Sequence, residues 1–410
     1  MNAQTSSRRV RAPSAVVTPV GRVVAGWATA GLAVGLAFGW TEWVVTGLAA
    51  AVIALTALPF LVGRPRYDVS LDVARSRVVA GDEAVGRVRV LNAGRRAALS
   101  GRFHVPVHVP AGRGSAGEFA VPMLRPGCSH TGEIVVPTRR RGVIRVGPAT
   151  AVRRDPVGVV RREIVWQGVH DLYVHPKTTP VPPTSAGLIR DLEGSPTRRL
   201  TDADVSFHAI RPYTPGDSRR RLHWKSIAKT GQLMVRQYEE SVRARIVVVL
   251  GCARPEYADD DEYELAVSVA ASLSVRGVRD GRDVDVVTSM PGPEKTRACL
   301  RPLRAVSPRT LLDGFCGVEL ADPAMPLREA CRLACASRRR VSLAVLVCGS
   351  PVGLRALRQA ALTFPADAAV LGIVCDERAQ PSVARFGPLV VVTVGVLADL
   401  GHLLRRGAPS

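Results

Sequence analysis

A chain of 410 residues is too long for one ordinary hydrophobic core, so two or three folded units are expected. With 47% hydrophobic and 22% charged residues it is a folding chain, not a disordered one. Its formal charge of +21 suits nucleic acid, anionic lipid or an acidic protein partner and does not choose among them. Of the 56 basic residues only Lys177, Lys225, Lys229 and Lys295 are lysines, an arginine bias that suits a high-GC genome as much as any function. The eight cysteines, Cys128, Cys252, Cys299, Cys316, Cys331, Cys335, Cys348 and Cys375, form no CxxC pair and lie mostly in apolar runs. Free cysteine in such runs behaves as a small hydrophobe, so a reduced compartment is expected, with neither a zinc site nor a disulfide framework.

Two apolar runs come first, about 21–40 and 43–63, separated only by Trp40-Thr41-Glu42-Trp43. Each is about long enough to cross a hydrocarbon core of roughly 30 Å, with tryptophans at the interface. They read as a tight transmembrane hairpin following a short N-terminal tail, the first domain being 1–66. The first run alone has the length of a signal peptide, but no convincing cleavage site follows it and a second span comes at once. A buried helical pair in a soluble core is the alternative. Arg8, Arg9, Arg11 and Arg22 lie before or at the start of the first run, Arg64 and Arg66 follow the second, and the loop carries only Glu42. The positive-inside rule then gives a two-pass plasma-membrane protein with both termini cytoplasmic.

From Tyr67 to about residue 180 the pattern becomes short alternating strands with Gly and Pro turns, as in Val69/Leu71/Val73 and Val88/Val90. This predicts an antiparallel β-sandwich domain over 67–180. Residues 181–244 form a connecting segment, and from Arg245 strands alternate with helices to the end of the chain. The strands are 245–250, 283–289, 341–350, "AAVLGIVCD" and "PLVVVTVGV"; the helices are 262–277, 326–340, "LRALRQAALTF" and "LADLGHLLRR". Continuous Val/Leu/Ile runs between helices predict a parallel, doubly wound sheet covered on both faces over 245–410. Cys331 and Cys335, at i and i+4 of one helix, are expected to face the core.

Two stretches carry a family likeness. "RRRGVIRVGPATAVRRDPVGVVRREI" (139–164) has an RG…GP…DPxG pattern, and "FHAIRPYTPGDSRRRLHWKSIAKTGQLMVRQYEE" (207–240) has an R-x-Y-x-x-G-D turn, then Arg, His-Trp and a closing Val-Arg with an acidic pair. Together they resemble the bacterial membrane proteins of domain of unknown function 58. The matching positions include Arg211, Tyr213, Gly216, Asp217, Arg220, His223, Trp224, Lys225, Leu233, Val235, Arg236 and Glu239. The resemblance implies a von Willebrand factor type A-like fold for 245–410. It also implies association with a MoxR-type AAA+ ATPase and a transglutaminase-like membrane protein.

Type A domains often hold a divalent cation on a D-x-S-x-S loop after the first strand, since hard cations need oxygen ligands. Here the corresponding positions are Gly251, Ala253 and Pro255, and a later strand end reads Cys348-Gly349. A type A-like domain stripped of its cation ligands is therefore expected, with no metal and no cofactor. The nearby Asp259-Asp260-Asp261-Glu262 reads as the acidic first turn of a helix, favoured by the helix dipole. No phosphate-binding loop, zinc-protease helix or nucleophile elbow occurs. His104, His108, His130, His170 and His175 lack paired spacing and read as core or surface residues.

The 211–240 segment itself allows three readings. It is an interdomain or partner-binding signature, in which Trp224 is an apolar anchor and Arg236 pairs with Glu239 or Glu240. It is a hydrolytic site using His223 and Asp217 as acid and base. Or it is part of a basic, membrane-localised nucleic-acid binder, a reading weakened by the lack of an aromatic stacking platform. The first is preferred: a membrane-anchored, non-enzymatic interaction protein with no catalytic residues and no nucleic-acid partner. A second basic set, Arg139–Arg141, Arg153, Arg154, Arg161 and Arg162, suits either a solvated face or contact with anionic headgroups.

Overall fold

The computed structural model describes residues 14–61, 67–98, 100–110, 114–155, 157–166, 168–183, 200–201, 207–215, 222–239, 245–291, 298–322, 324–337 and 341–406. The chain forms two compact units, Met1–His175 and Pro176–Ser410.

The first unit begins with a short strand, β1 (Ser14–Val17), followed at once by helices α1 (Pro19–Phe38) and α2 (Thr41–Leu61). Thr18 caps α1 by accepting from the Gly21 amide, Pro19 occupies the first turn, and Gly39 ends the helix in the left-handed region at φ 68°. The two helices are an antiparallel pair held by close backbone approach. A Cβ added to Gly31 would lie 2.9 Å from the Gly47 Cα, so only glycine permits this spacing. Trp27 and Trp43 stack across the pair at 5.7 Å. By length and composition α1 can cross a membrane, whereas the apolar stretch of α2, Thr41–Ala57, is shorter.

Ten strands follow: β2 (Tyr67–Val73), β3 (Arg77–Val79), β4 (Ala84–Asn92), β5 (Gly101–His108), β6 (Ser115–Val121), β7 (Ser129–Val136), β8 (Gly142–Val146), β9 (Thr150–Arg154), β10 (Val160–Val165) and β11 (His170–His175). They make a three-stranded sheet, β2-β4-β7, and an eight-stranded sheet ordered β1-β10-β9-β5-β8-β11-β3 with β6 on β5. One buried cluster draws from both: Val88, Val90, Ile134 and Val136 from the small sheet, Phe103, Val105, Ile144 and Leu172 from the large one. The alternation of Val88 and Val90 is thus the inward face. All pairings here are antiparallel except β3 with β11, which makes the large sheet mixed.

In the second unit, strands β12 (Leu200–Thr201), β13 (Phe207–Pro212) and β14 (Met234–Glu239) form a small antiparallel sheet ordered β12-β14-β13. A short helix, α3 (Trp224–Thr230), lies between the last two. The larger sheet contains β15 (Arg245–Leu250), β16 (Asp283–Pro291), β17 (Ala298–Leu303), β18 (Leu343–Gly349), β19 (Ala369–Cys375), β20 (Ser382–Phe386) and β21 (Leu389–Val394). Its order is β17-β16-β15-β18-β19-β21-β20; the five central strands are parallel and the two edges antiparallel. The antiparallel edge strands depart from the all-parallel expectation, and such edges are common on large α/β sheets.

Helices cover both faces. Val248 and Leu250 pack with Ala266, Val267 and Ala270 of α4 (Asp260–Arg279), Leu311 and Phe315 of α5 (Pro308–Cys316), and Leu400 and Leu404 of α8 (Asp399–Arg406). Val247 and Val249 pack the other way, with Leu327, Ala330 and Cys331 of α6 (Leu327–Ala336) and Leu357 and Ala360 of α7 (Leu354–Ala361). This is why the "RIVVVL" run is apolar throughout: its alternate residues feed two cores. Cys331 is fully buried and Cys335 packs partly against the same cluster.

Candidate functional site

The 207–240 signature folds as an antiparallel hairpin carrying α3 at its turn. Ile210, Arg211 and Pro212 of β13 stand opposite Arg236, Val235 and Met234 of β14. The ladder continues past β13, where the Tyr213 amide donates to the Leu233 carbonyl at 2.8 Å. Returning from the turn, Leu222 bridges to Val235 and the His223 amide donates to the Met234 carbonyl at 2.8 Å. β14 is thereby gripped from both sides, and Val235 is buried beneath. Its partner β12 places Leu200 opposite Glu239.

Among the sequence-derived site residues, Arg211 turns its guanidinium back on the turn, donating to the Pro212 carbonyl and Thr214 Oγ1, each at 3.0 Å. His223 occupies the N-cap of α3, with Nδ1 and Ser226 Oγ at 2.7 Å. Gly231 closes the helix at φ 71°. Trp224 is 68% exposed, and Lys225 and Lys229, one helical turn apart, are exposed as well. The tryptophan therefore does not serve within its own unit as the buried apolar anchor the sequence suggested. Gly216, Asp217 and Arg220 lie outside the described residues, so the His223–Asp217 pairing does too. Arg236 and Glu239 are placed by the β14 register alone.

A second cluster sits at the C-terminal ends of β15 and β18, adjacent parallel strands from which the connections lead to opposite sides of the sheet. In open α/β sheets this switch point is where ligands bind. Here the chain's own side chains fill it. After β15 a single 3-10 turn, Arg254–Glu256, brings Glu256 back toward Gly251. Glu256 Oε1 accepts from the Leu327 amide at 2.6 Å, capping the start of α6, while Oε2 is buried with no hydrogen-bond partner. Burial pushes this carboxyl up to about 6, against the lowering effect of the Leu327 and Ala253 amides.

Asp259 caps α4 by accepting from the Glu262 amide at 2.8 Å, as expected of an acidic first turn. Glu262, in the same acidic first turn, also reaches across to a neighbouring strand end. It is buried and binds the turn after β18, accepting from the Ser350 amide at 2.5 Å and Ser350 Oγ at 3.0 Å. A Cβ added to Gly349 would lie 2.2 Å from Glu262 Oε1 and 2.5 Å from the Glu256 carbonyl oxygen, so the carboxylate occupies space that glycine leaves free. Tyr257 completes the plug, donating to the Gly251 carbonyl at 2.8 Å and meeting Tyr263 edge-on at 5.0 Å. Its hydroxyl is raised by burial first and by the neighbouring Cys252 and Cys348 next. Among the described residues no three His, Cys, Asp or Glu side chains cluster as cation ligands do. Glu256 escaped the sequence reading; its only local signal was a carboxylate a few residues beyond a wholly apolar strand.

No curated protein matches the chain. Among solved structures, the chain is similar to a β-glucosidase from Listeria innocua in complex with glucose, at 13% identity over 28% of this chain and 17% of that one, with a TM-score of 0.19. It is also similar to the CARDB domain of the PF1109 protein from Pyrococcus furiosus in complex with di-metal ions, at 17% identity over 27% of this chain and 93% of that one, with a TM-score of 0.20. At such scores neither bears on the fold or the function of this chain. Residues 209–379, from the signature hairpin through both switch-point carboxylates to just beyond β19, match the family described as Protein of unknown function DUF58.

Proposed function

We propose that this protein is a membrane-anchored, non-enzymatic interaction protein whose signature hairpin presents a docking face to a protein partner. The observation that carries it is Trp224, 68% exposed at the start of α3 with Lys225 and Lys229 beside it. An exposed tryptophan flanked by cations is the composition of a binding hot spot rather than of a solvated helix. Two of the four lysines of the chain stand on this seven-residue helix, which carries no acidic residue. The filled switch point supports a non-catalytic role, since the usual ligand crevice holds Glu256, Glu262 and Tyr257 instead.

In this reading the two-sheet domain is a β-sandwich and the C-terminal region a von Willebrand factor type A-like domain without cation ligands. The α1–α2 pair is a two-pass plasma-membrane anchor with both termini cytoplasmic, and the partner is a MoxR-type AAA+ ATPase, with a transglutaminase-like membrane protein in the same system. Co-purification from detergent extract tests it. The full chain is expected to recover such an ATPase, and Trp224→Ala with Lys225→Glu and Lys229→Glu to lose it. Recovery of no ATPase with or without nucleotide contradicts the proposal.

A further inference from the structure

We infer that the β9–β10 turn is a second membrane contact, seated on an anionic lipid surface beside the first turn of α1. The inference rests on α1 spanning the bilayer, and its argument is geometric. On the β1 side only Thr18 separates the β domain from α1. β1 pairs with β10 along its length, Val17 opposite Val160, and the next residue caps α1. Thr18 donates its amide to the Val159 carbonyl at 3.0 Å and its hydroxyl to the Gly158 carbonyl at 2.5 Å. Gly21, one turn into α1, approaches so closely that an added Cβ would lie 2.2 Å from Val159 O. From the other helix, Ala57 packs with Val159 and Val160, and Val24 joins them.

These contacts fix the depth of the turn. If α1 enters the hydrocarbon near Pro19, the turn that touches Thr18 and Gly21 lies at headgroup level. Its chemistry suits that level. Val157, at the tip, is an apolar side chain 53% exposed, and Val17 and Val20 on the adjoining stretch of chain are 49% and 51% exposed. The turn is tied to Asp155, which is buried and accepts from the Val157 amide at 3.2 Å and the Val160 amide at 2.6 Å. Behind the tip, Arg154 stands opposite Arg161 and Arg153 opposite Arg162 in the ladder. Arg161 pairs with Glu163, and the Asp155 carboxylate is turned inward onto backbone amides. Exposed Arg22 adds a further cation on the first turn of α1, and Arg8, Arg9 and Arg11 precede β1 in the sequence. Lipid phosphate is the counter-charge that suits a run of arginine positions and exposed Arg22 at this depth.

The test places a nitroxide at Val157→Cys in the full chain, with the exposed Cys128 and Cys299 replaced by Ser. Collision with oxygen and with a water-soluble nickel complex is read in vesicles of phosphatidylcholine with and without phosphatidylglycerol. Val135→Cys, 76% exposed on β7, is the aqueous reference, and Val52→Cys on α2 is the bilayer reference. The expected result is an oxygen-to-nickel ratio at Val157 several-fold above that at Val135, and higher with phosphatidylglycerol than without. A Val157 ratio equal to that of Val135 while Val52 reads hydrocarbon overturns the inference and leaves the span intact. A Val52 label that reads water overturns both. A ratio indifferent to phosphatidylglycerol overturns the assignment of anionic headgroups as the partner.

Discussion

Glu256 is the residue whose environment makes the sharpest prediction. Burial raises its carboxyl from 4.5 to about 6, so the folded chain holds this proton more tightly than the unfolded chain does. The stabilising contribution is full below about pH 4.5 and is lost as pH rises through about 6. At 1.36 kcal/mol per unit the loss is about 2 kcal/mol. Glu256→Gln, which keeps an acceptor for the Leu327 amide, is expected to remove that slope, so denaturant titrations of parent and variant across this range should converge at low pH and diverge above it. Parallel curves would show that the buried Oε2 is not the source. At Gly349 the expectation is steric. Gly349→Ala drives a methyl group into the Glu262 carboxylate and the Glu256 backbone, and should cost about 1–3 kcal/mol in the same titration. Asp155→Ala removes the acceptor from the Val157 and Val160 amides and leaves the β9–β10 turn without its tie. A loss of about 1–3 kcal/mol in stability of the β domain is expected, read by hydrogen exchange at β9 and β10.

At the level of elements, what the sequence revealed depended on whether the signal was local. The helix pair was expected at about 21–40 and 43–63 and occupies Pro19–Phe38 and Thr41–Leu61, because a long apolar run is its own evidence. The helix expected at 262–277 extends to Asp260–Arg279, its start marked by the Asp259 cap. Replacing that cap, Asp259→Ala, should destabilise the second unit by about 1 kcal/mol, measurable as a lower thermal midpoint. β1 was missed because "SAVV" has no periodicity to display, and its partner β10 lies more than a hundred residues away. β17 and β20 were missed for a related reason: each is a short edge strand, and "SVARF" lacks the continuous apolar character of a central one. In the signature, the strand Met234–Glu239 was legible from residue type. The exposure of Trp224 was not, since a lone tryptophan beside lysines fits a buried anchor as well as an exposed one until the neighbouring strands are placed.

For the whole molecule, the charge of +21 is spread over features with different uses. The proposed account gives the arginines of the β9–β10 hairpin to the lipid surface and the lysines of α3 to a protein partner. The switch-point plug, built from Glu256, Tyr257 and Glu262, had no sequence motif because it assembles across the ends of β15, β18 and α6. What fills the space beyond β15 was not readable from the sequence. The central claim is that α3 is the docking face. It is tested most directly by the equilibrium affinity of a purified MoxR-type ATPase for the full chain in lipid nanodiscs, compared with Trp224→Ala and with Lys225→Glu/Lys229→Glu. The account predicts a loss of about tenfold or more in each variant, the equivalent of about 1.4 kcal/mol. Affinity unchanged in both variants, or no binding by the parent chain in any nucleotide state, would contradict it.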